Sequence, residues 1–166
     1  KLLLKQTPYK NALVFCSKKQ TVKQLRRELK QGGFNIEEIH TDPKKVINAL
    51  YHVSSNIVKD DKFLVTLGGE HSISQGVIKA YKEKYKNLSI LQLDAHLDLM
   101  KQFGGTRYSH ASVTRRVVED MKCKVTSFGV RVVSKEEQEY VKKKKDSVSV
   151  FYAKDIYNND DWHDQA

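Results

Sequence analysis

Residues 88–98 read Leu-Ser-Ile-Leu-Gln-Leu-Asp-Ala-His-Leu-Asp. The stretch opens as an apolar run and closes on two aspartates with a histidine between them. Ile90, Leu91 and Leu93 predict a short strand buried on both faces, the habit of strands in parallel sheets. Successive side chains of an extended chain point to opposite sides. Asp94, His96 and Asp98 should therefore share one side, while Ala95, Leu97 and Leu99 share the other and anchor the segment in the core. Carboxylates held so close repel and raise each other's pKa unless a cation sits between them. A divalent metal is the simplest such cation, and mixed carboxylate and imidazole ligands suit Mn²⁺, Fe²⁺ or Zn²⁺. The competing view, a loop whose polar groups merely face water, fits poorly, because Asp is rarely placed against a buried strand unless paired.

Working backwards, residues 63–67 (Phe-Leu-Val-Thr-Leu) form another apolar strand that runs into Gly68-Gly69-Glu70-His71-Ser72. The glycine pair allows a tight turn. Ser72-x-x-Gln75 fits a capping box that opens a helix to about Tyr85. His71 thus sits where a strand gives way to a helix, the same kind of place as Asp94–Asp98. Ligands of open α/β sheets bind outside the carboxyl ends of the strands. A lone histidine there would be a packed turn residue; beside Asp94, His96 and Asp98 it is a candidate ligand.

The remaining chain alternates in the same way. Residues 12–16 and 34–39 are candidate strands, and residues 21–30 a helix. Asp42-Pro43 starts a second helix with an N-cap and a first-turn proline. Its buried stripe is Val46, Ile47, Leu50, Tyr51, Ser54, Ile57 and Val58, with His52 on the surface. The loop 100–109, with Gly104-Gly105, is long enough to line a site. Residues 112–121 predict a helix, 125–129 a strand, 134–144 a helix with a Glu-rich start and Lys-rich end, and 148–152 a strand. This order implies a three-layer α/β/α fold with a mainly parallel sheet.

At 166 residues the chain is one domain or part of one. It shows no apolar run of membrane-spanning length and no signal-peptide pattern. Cys16 and Cys123 lack metal or redox spacing and read as reduced thiols of a cytoplasmic protein. The net charge of +10 raises the question of nucleic acid. The lysines and arginines are spread along the chain, with 142–145 the one solid run, and no aromatic residues interleave with them. A solvated basic surface is the reading kept, without nucleic acid or membrane as partner.

A third element, Tyr108-Ser109-His110-Ala111-Ser112, follows the aspartates. GGEHS, DAHLD and SHAS, in that order, resemble the ureohydrolases, the arginase and agmatinase family. DAHLDLMKQFGGTRYSHASVTRRVVE and FGVRVVSKEE look most like bacterial and archaeal agmatinases. The resemblance covers about residues 63–139. It implies an arginase-like fold in which His71, Asp94, His96 and Asp98 match ligands of a two-Mn²⁺ site, Asp94 bridging both ions. His110 matches a histidine that shuttles protons at the active-site mouth. The implied reaction is hydrolysis of a small cationic guanidino substrate, agmatine to putrescine and urea, with arginase, formimidoylglutamase or guanidinobutyrase activity and an inactive metal-binding relative as alternatives. A homo-oligomer, trimer or hexamer, is also implied.

The sequence departs from the family at two places. The second aspartate motif, Asp-x-Asp, and a later glutamate are absent, and the loop after the first strand is short. Residues 1–166 are therefore expected to be a single partial domain, incomplete on the C-terminal side and inactive by itself.

Overall fold

Asp42 and Pro43 open the helix α1 (Pro43–Lys59) in the computed structural model, which describes residues 42–158 together with 27, 28 and 31, the last three also helical. The Asp42 carboxylate accepts from the Lys44 amide at 2.9 Å, and proline fits the first turn because its missing N–H has no intrahelical partner to lose. Ile47, Leu50, Ser54 and Val58 are buried along one stripe, and His52 is exposed. The candidate strands 12–16 and 34–39 lie outside the described residues, as does most of the candidate helix 21–30.

After α1 come a 3₁₀ turn (His71–Ile73) and α2 (Ser74–Lys84). The expected Ser72–Gln75 capping box is not what opens this turn. The Glu70 carboxylate instead accepts from the Ser72 amide at 3.0 Å and from the Ser72 hydroxyl, while Gln75 is buried. An ionised carboxylate is a stronger acceptor than a hydroxyl, and Glu70 precedes the turn in the extended conformation an N-cap needs.

Among the described residues the sheet has three strands, β1 (Ser89–Leu93), β2 (Lys124–Val130) and β3 (Val148–Tyr152), in the order β1-β2-β3. Both pairings are parallel, Leu91 facing Thr126 and Phe128 facing Phe151. Parallel neighbours need crossovers. A second 3₁₀ turn (His110–Ser112) and α3 (Val113–Glu119) lie between β1 and β2, and α4 (Lys135–Lys143) between β2 and β3. A last short helix, α5 (Ala153–Asn158), follows. The chain is thus of the α/β class expected. Leu97, Leu99, Val117, Val125, Val130 and Val148 are central to the buried core.

Two expectations fail. Among the described residues, 63–67 pair with no strand of this sheet: only Leu67 makes a bridge, and Phe63 is 92% exposed. Nor is β1 buried on both faces, since Leu91 and Leu93 are 66% and 74% exposed. The cause is shared. Among the described residues β1 pairs only with β2, and a cavity of about 500 Å³ separates its other side from Thr66, Gly68 and Gly69. Apolar pattern predicts a strand but cannot say which neighbour covers it.

Gly76 measures how closely α1 and α2 approach. A Cβ there would lie 2.3 Å from the Ile47 carbonyl oxygen and 2.9 Å from the Tyr51 amide. Alanine in a helix is favoured over glycine by about 1 kcal/mol. Overpacking costs about 1–3 kcal/mol, and because the clash is with backbone the cost should win. Gly76→Ala is expected to lower unfolding free energy in urea by about 1–2 kcal/mol; an unchanged or higher midpoint would show that the helices separate freely.

Candidate metal centre

Two backbone segments deliver the site. His71 opens the first 3₁₀ turn, Asp94 follows β1 directly, and Asp98 lies four residues on. The Asp94 amide donates to the Phe128 carbonyl at 3.1 Å, so the β1–β2 ladder extends one residue past the strand. The Ala95 carbonyl then accepts from the Arg131 and Val132 amides at 2.9 and 3.0 Å. Beyond this the chain turns sharply. Asp98 has φ 52°, the left-handed region that few residues other than glycine enter, aspartate among the more tolerant.

That turn changes the expected geometry. Simple alternation would put Asp94, His96 and Asp98 on one side of a straight strand. The bend instead carries Asp98 to His71, whose Nδ1 lies 2.8 Å from Asp98 Oδ2. One donor atom each from His71, Asp94 and Asp98 fall within 4.8 Å of one another. His96 stands outside this trio. Its side chain is 59% exposed, and Nδ1 is 3.2 Å from Asp94 Oδ1. Asp94 therefore belongs to the trio and also borders His96.

His110 is further out. Its side chain is 58% exposed, with Nδ1 3.8 Å from Glu70 Oε1. The ring meets Phe103 edge-on, centroids 5.3 Å apart. Sequence reasoning missed Glu70, which caps the turn carrying His71 and also faces His110. Its signal was present: an acidic residue directly before a predicted helix start. Gln92 was missed too, a polar residue inside an apolar strand whose side chain reaches Asp98.

The electrostatics favour a cation. The Asp98 hydrogen bond holds His71 above the ordinary histidine value, against burial, which pulls it down, and with help from the charges of Asp98, Asp94 and Glu70. His71 thus offers a proton-stabilised cation between carboxylates, a place a metal ion can take once the proton leaves. Two carboxylates and an imidazole converge, with a second imidazole adjoining Asp94. That donor set, carboxylate oxygens with imidazole nitrogen, fits a divalent ion such as Mn²⁺, Fe²⁺ or Zn²⁺. His71 and Asp94 also border the cavity beside β1. The rest of its wall is largely apolar, Leu91, Leu93 and Val113 among it.

Comparison with known proteins gives the wider setting. Residues 13–162 match the Arginase family. The agmatinase of Bacillus subtilis is 35% identical over 111 residues, covering 66% of this chain and 38% of that protein. The N(1)-aminopropylagmatine ureohydrolase of Synechocystis sp. is 34% identical over 110 residues, covering 66% of this chain and 35% of that one. The crystal structure of agmatine ureohydrolase of Thermoplasma volcanium matches with a TM-score of 0.67 and 33% identity, over 78% of this chain and 44% of that chain. The match spans less than half the length of these relatives.

The pH response of the His71–Asp98 pair can be read directly. His71 is raised on folding, so the pair's contribution to stability is complete below the ordinary histidine range and is lost as pH rises through the raised value. In metal-free protein followed by NMR, Asp98→Asn is expected to move the His71 titration to lower pH. The stability difference between wild type and variant should shrink on the alkaline side. A His71 titration unmoved by Asp98→Asn would show that the two groups are not paired in solution.

Proposed function

The chain belongs to the Arginase family, and we propose that the whole protein is a di-manganese hydrolase that converts agmatine to putrescine and urea. The observation that carries this reading is the convergence of His71, Asp94 and Asp98 at the carboxyl end of β1. Support for agmatine comes from the SHAS and FGVR stretches, which look more like agmatinases than arginases. The similar agmatinase and agmatine ureohydrolase described above point the same way. A cytoplasmic homo-oligomer belongs to the same reading; among the described residues no helix is long and apolar enough to cross a membrane.

His71 and Asp98 would hold one ion and His96 the other, with Asp94 shared between them. Asp94 supports this reading, since it belongs to the trio and its Oδ1 also lies 3.2 Å from His96 Nδ1. The ions when bound supply Lewis acidity and make water reactive near neutral pH. That help is needed because resonance makes a guanidinium carbon a poor electrophile. The chain's own part is to bind and orient. The carboxylates of Asp94 and Asp98 would offset the charge of such ions, and the buried Leu97 and Leu99 anchor the chain on either side of Asp98. The departing amine needs a proton, and His110 is exposed enough to exchange one with water while Glu70 stands beside it. A net charge of +10 does not attract a cationic substrate, so carboxylates at the mouth, Glu70 first, must offset it locally.

Two outcomes test this. Asp94→Asn should reduce bound manganese in elemental analysis and lower urea release from agmatine by more than about a hundredfold, since several kcal/mol of charge stabilisation are removed. Two ions per chain after that change would refute the ligand assignment. The whole protein should also hydrolyse agmatine with a kcat/KM at least about tenfold above that for arginine, whose α-carboxylate an agmatine site leaves unpaired. Arginine turned over as well or better would assign the protein to arginase chemistry instead.

A further inference from the structure

Gln92 is the one strongly polar residue near the middle of β1, where apolar side chains are the rule. It lies two residues before Asp94, and its side chain spans three elements. Its Nε2 group donates to Asp98 Oδ2 at 3.3 Å and to the His96 carbonyl at 3.4 Å. Its Oε1 accepts from the Ser127 hydroxyl at 2.8 Å and the Thr114 hydroxyl at 3.1 Å. An amide side chain has two N–H donors and two acceptor positions, and all four are used.

The orientation of that amide is not arbitrary. Turning it over would set Oε1 against a carboxylate and a carbonyl, acceptor against acceptor. The hydroxyls of Ser127 on β2 and Thr114 on α3, 0% and 4% exposed, then hold the other end. Asp98 needs such support. It is a non-glycine residue at φ 52°, and the same Oδ2 that meets Gln92 also meets His71. Groups that fix a metal-binding carboxylate typically matter 10- to 100-fold in metal affinity.

We propose that Gln92 is a positioning residue that sets the Asp98 carboxylate for metal binding, held in its own orientation by Ser127 and Thr114. The inference rests on the metal site proposed above. An amide suits this role because it donates at every working pH and adds no charge to a site that already carries two carboxylates. A glutamine retained only to satisfy two buried hydroxyls would have no need to reach Asp98.

The test compares Mn²⁺ binding by wild type, Asp94→Asn and Gln92→Met, measured by electron paramagnetic resonance of free Mn²⁺. Urea unfolding midpoints are recorded without metal alongside. Gln92→Met is expected to weaken Mn²⁺ binding about tenfold or more, beyond any change in midpoint. A Gln92→Met protein that is less stable yet binds Mn²⁺ as tightly as wild type overturns the proposal, and leaves the metal site standing if Asp94→Asn loses binding. A wild-type protein that binds no Mn²⁺ overturns both. If Gln92→Met does not fold, Ser127→Ala replaces it. That variant keeps the contact to Asp98 but loosens the amide, so it should weaken Mn²⁺ binding by a few-fold; unchanged binding in it overturns the proposal.

Discussion

Everything at this site depends on one constraint, the left-handed turn at Asp98 held between two completely buried leucines. Leu97 and Leu99 are both 0% exposed. Burying a leucine is worth about 1.5–3 kcal/mol, and a left-handed residue costs about 1–2 kcal/mol. The two leucines together outweigh the turn they flank. Backbone groups around it are also tied down. The Arg115 amide donates to the Asp98 carbonyl at 3.2 Å, and the Arg115 guanidinium to the Leu99 carbonyl at 3.2 Å. The Leu99 amide donates to Glu137 Oε1 at 3.0 Å, and the Met100 amide to the Ala111 carbonyl at 3.0 Å.

These clamps join the site to distant elements. Glu137 is buried and serves two ends at once. One carboxylate oxygen takes the Leu99 amide, and the other closes the capping box with Ser134 at the start of α4. Arg115 lies over the Tyr140 ring at 3.8 Å and pairs with Glu119 at 2.7 Å. The loop that carries Asp98 therefore cannot relax without disturbing the elements that Glu137 and Arg115 tie to it. Such over-determination is what keeps a strained residue in place at a functional site. The side chains of His96 and His110, by contrast, are more than half exposed to solvent.

The same residues account for what could be read in advance. Apolar strands, the cap at Asp42 and the parallel alternation are local or nearest-neighbour effects, so pattern alone predicts them. The buried Leu97 and Leu99 were legible as alternating anchors. The exposure of Leu91, Leu93 and Phe63 was not, because an apolar side chain shows only a preference for burial and not the identity of its cover. Glu70 as the cap of the His71 turn was missed because a serine two residues later fitted the motif equally well.

The sequence by itself determined the family, the α/β class, and the candidates His71, Asp94, His96, Asp98 and His110. Motif order and residue chemistry are properties of the linear chain. Only the tertiary structure decided which candidates meet. Alternation along a strand placed His96 beside Asp98 on one side, but the positive φ at Asp98 swung that carboxylate onto His71, on a separate segment of the chain, and left His96 against Asp94 alone. A single backbone angle fixed by long-range packing redirects a side chain, and no local pattern carries that information.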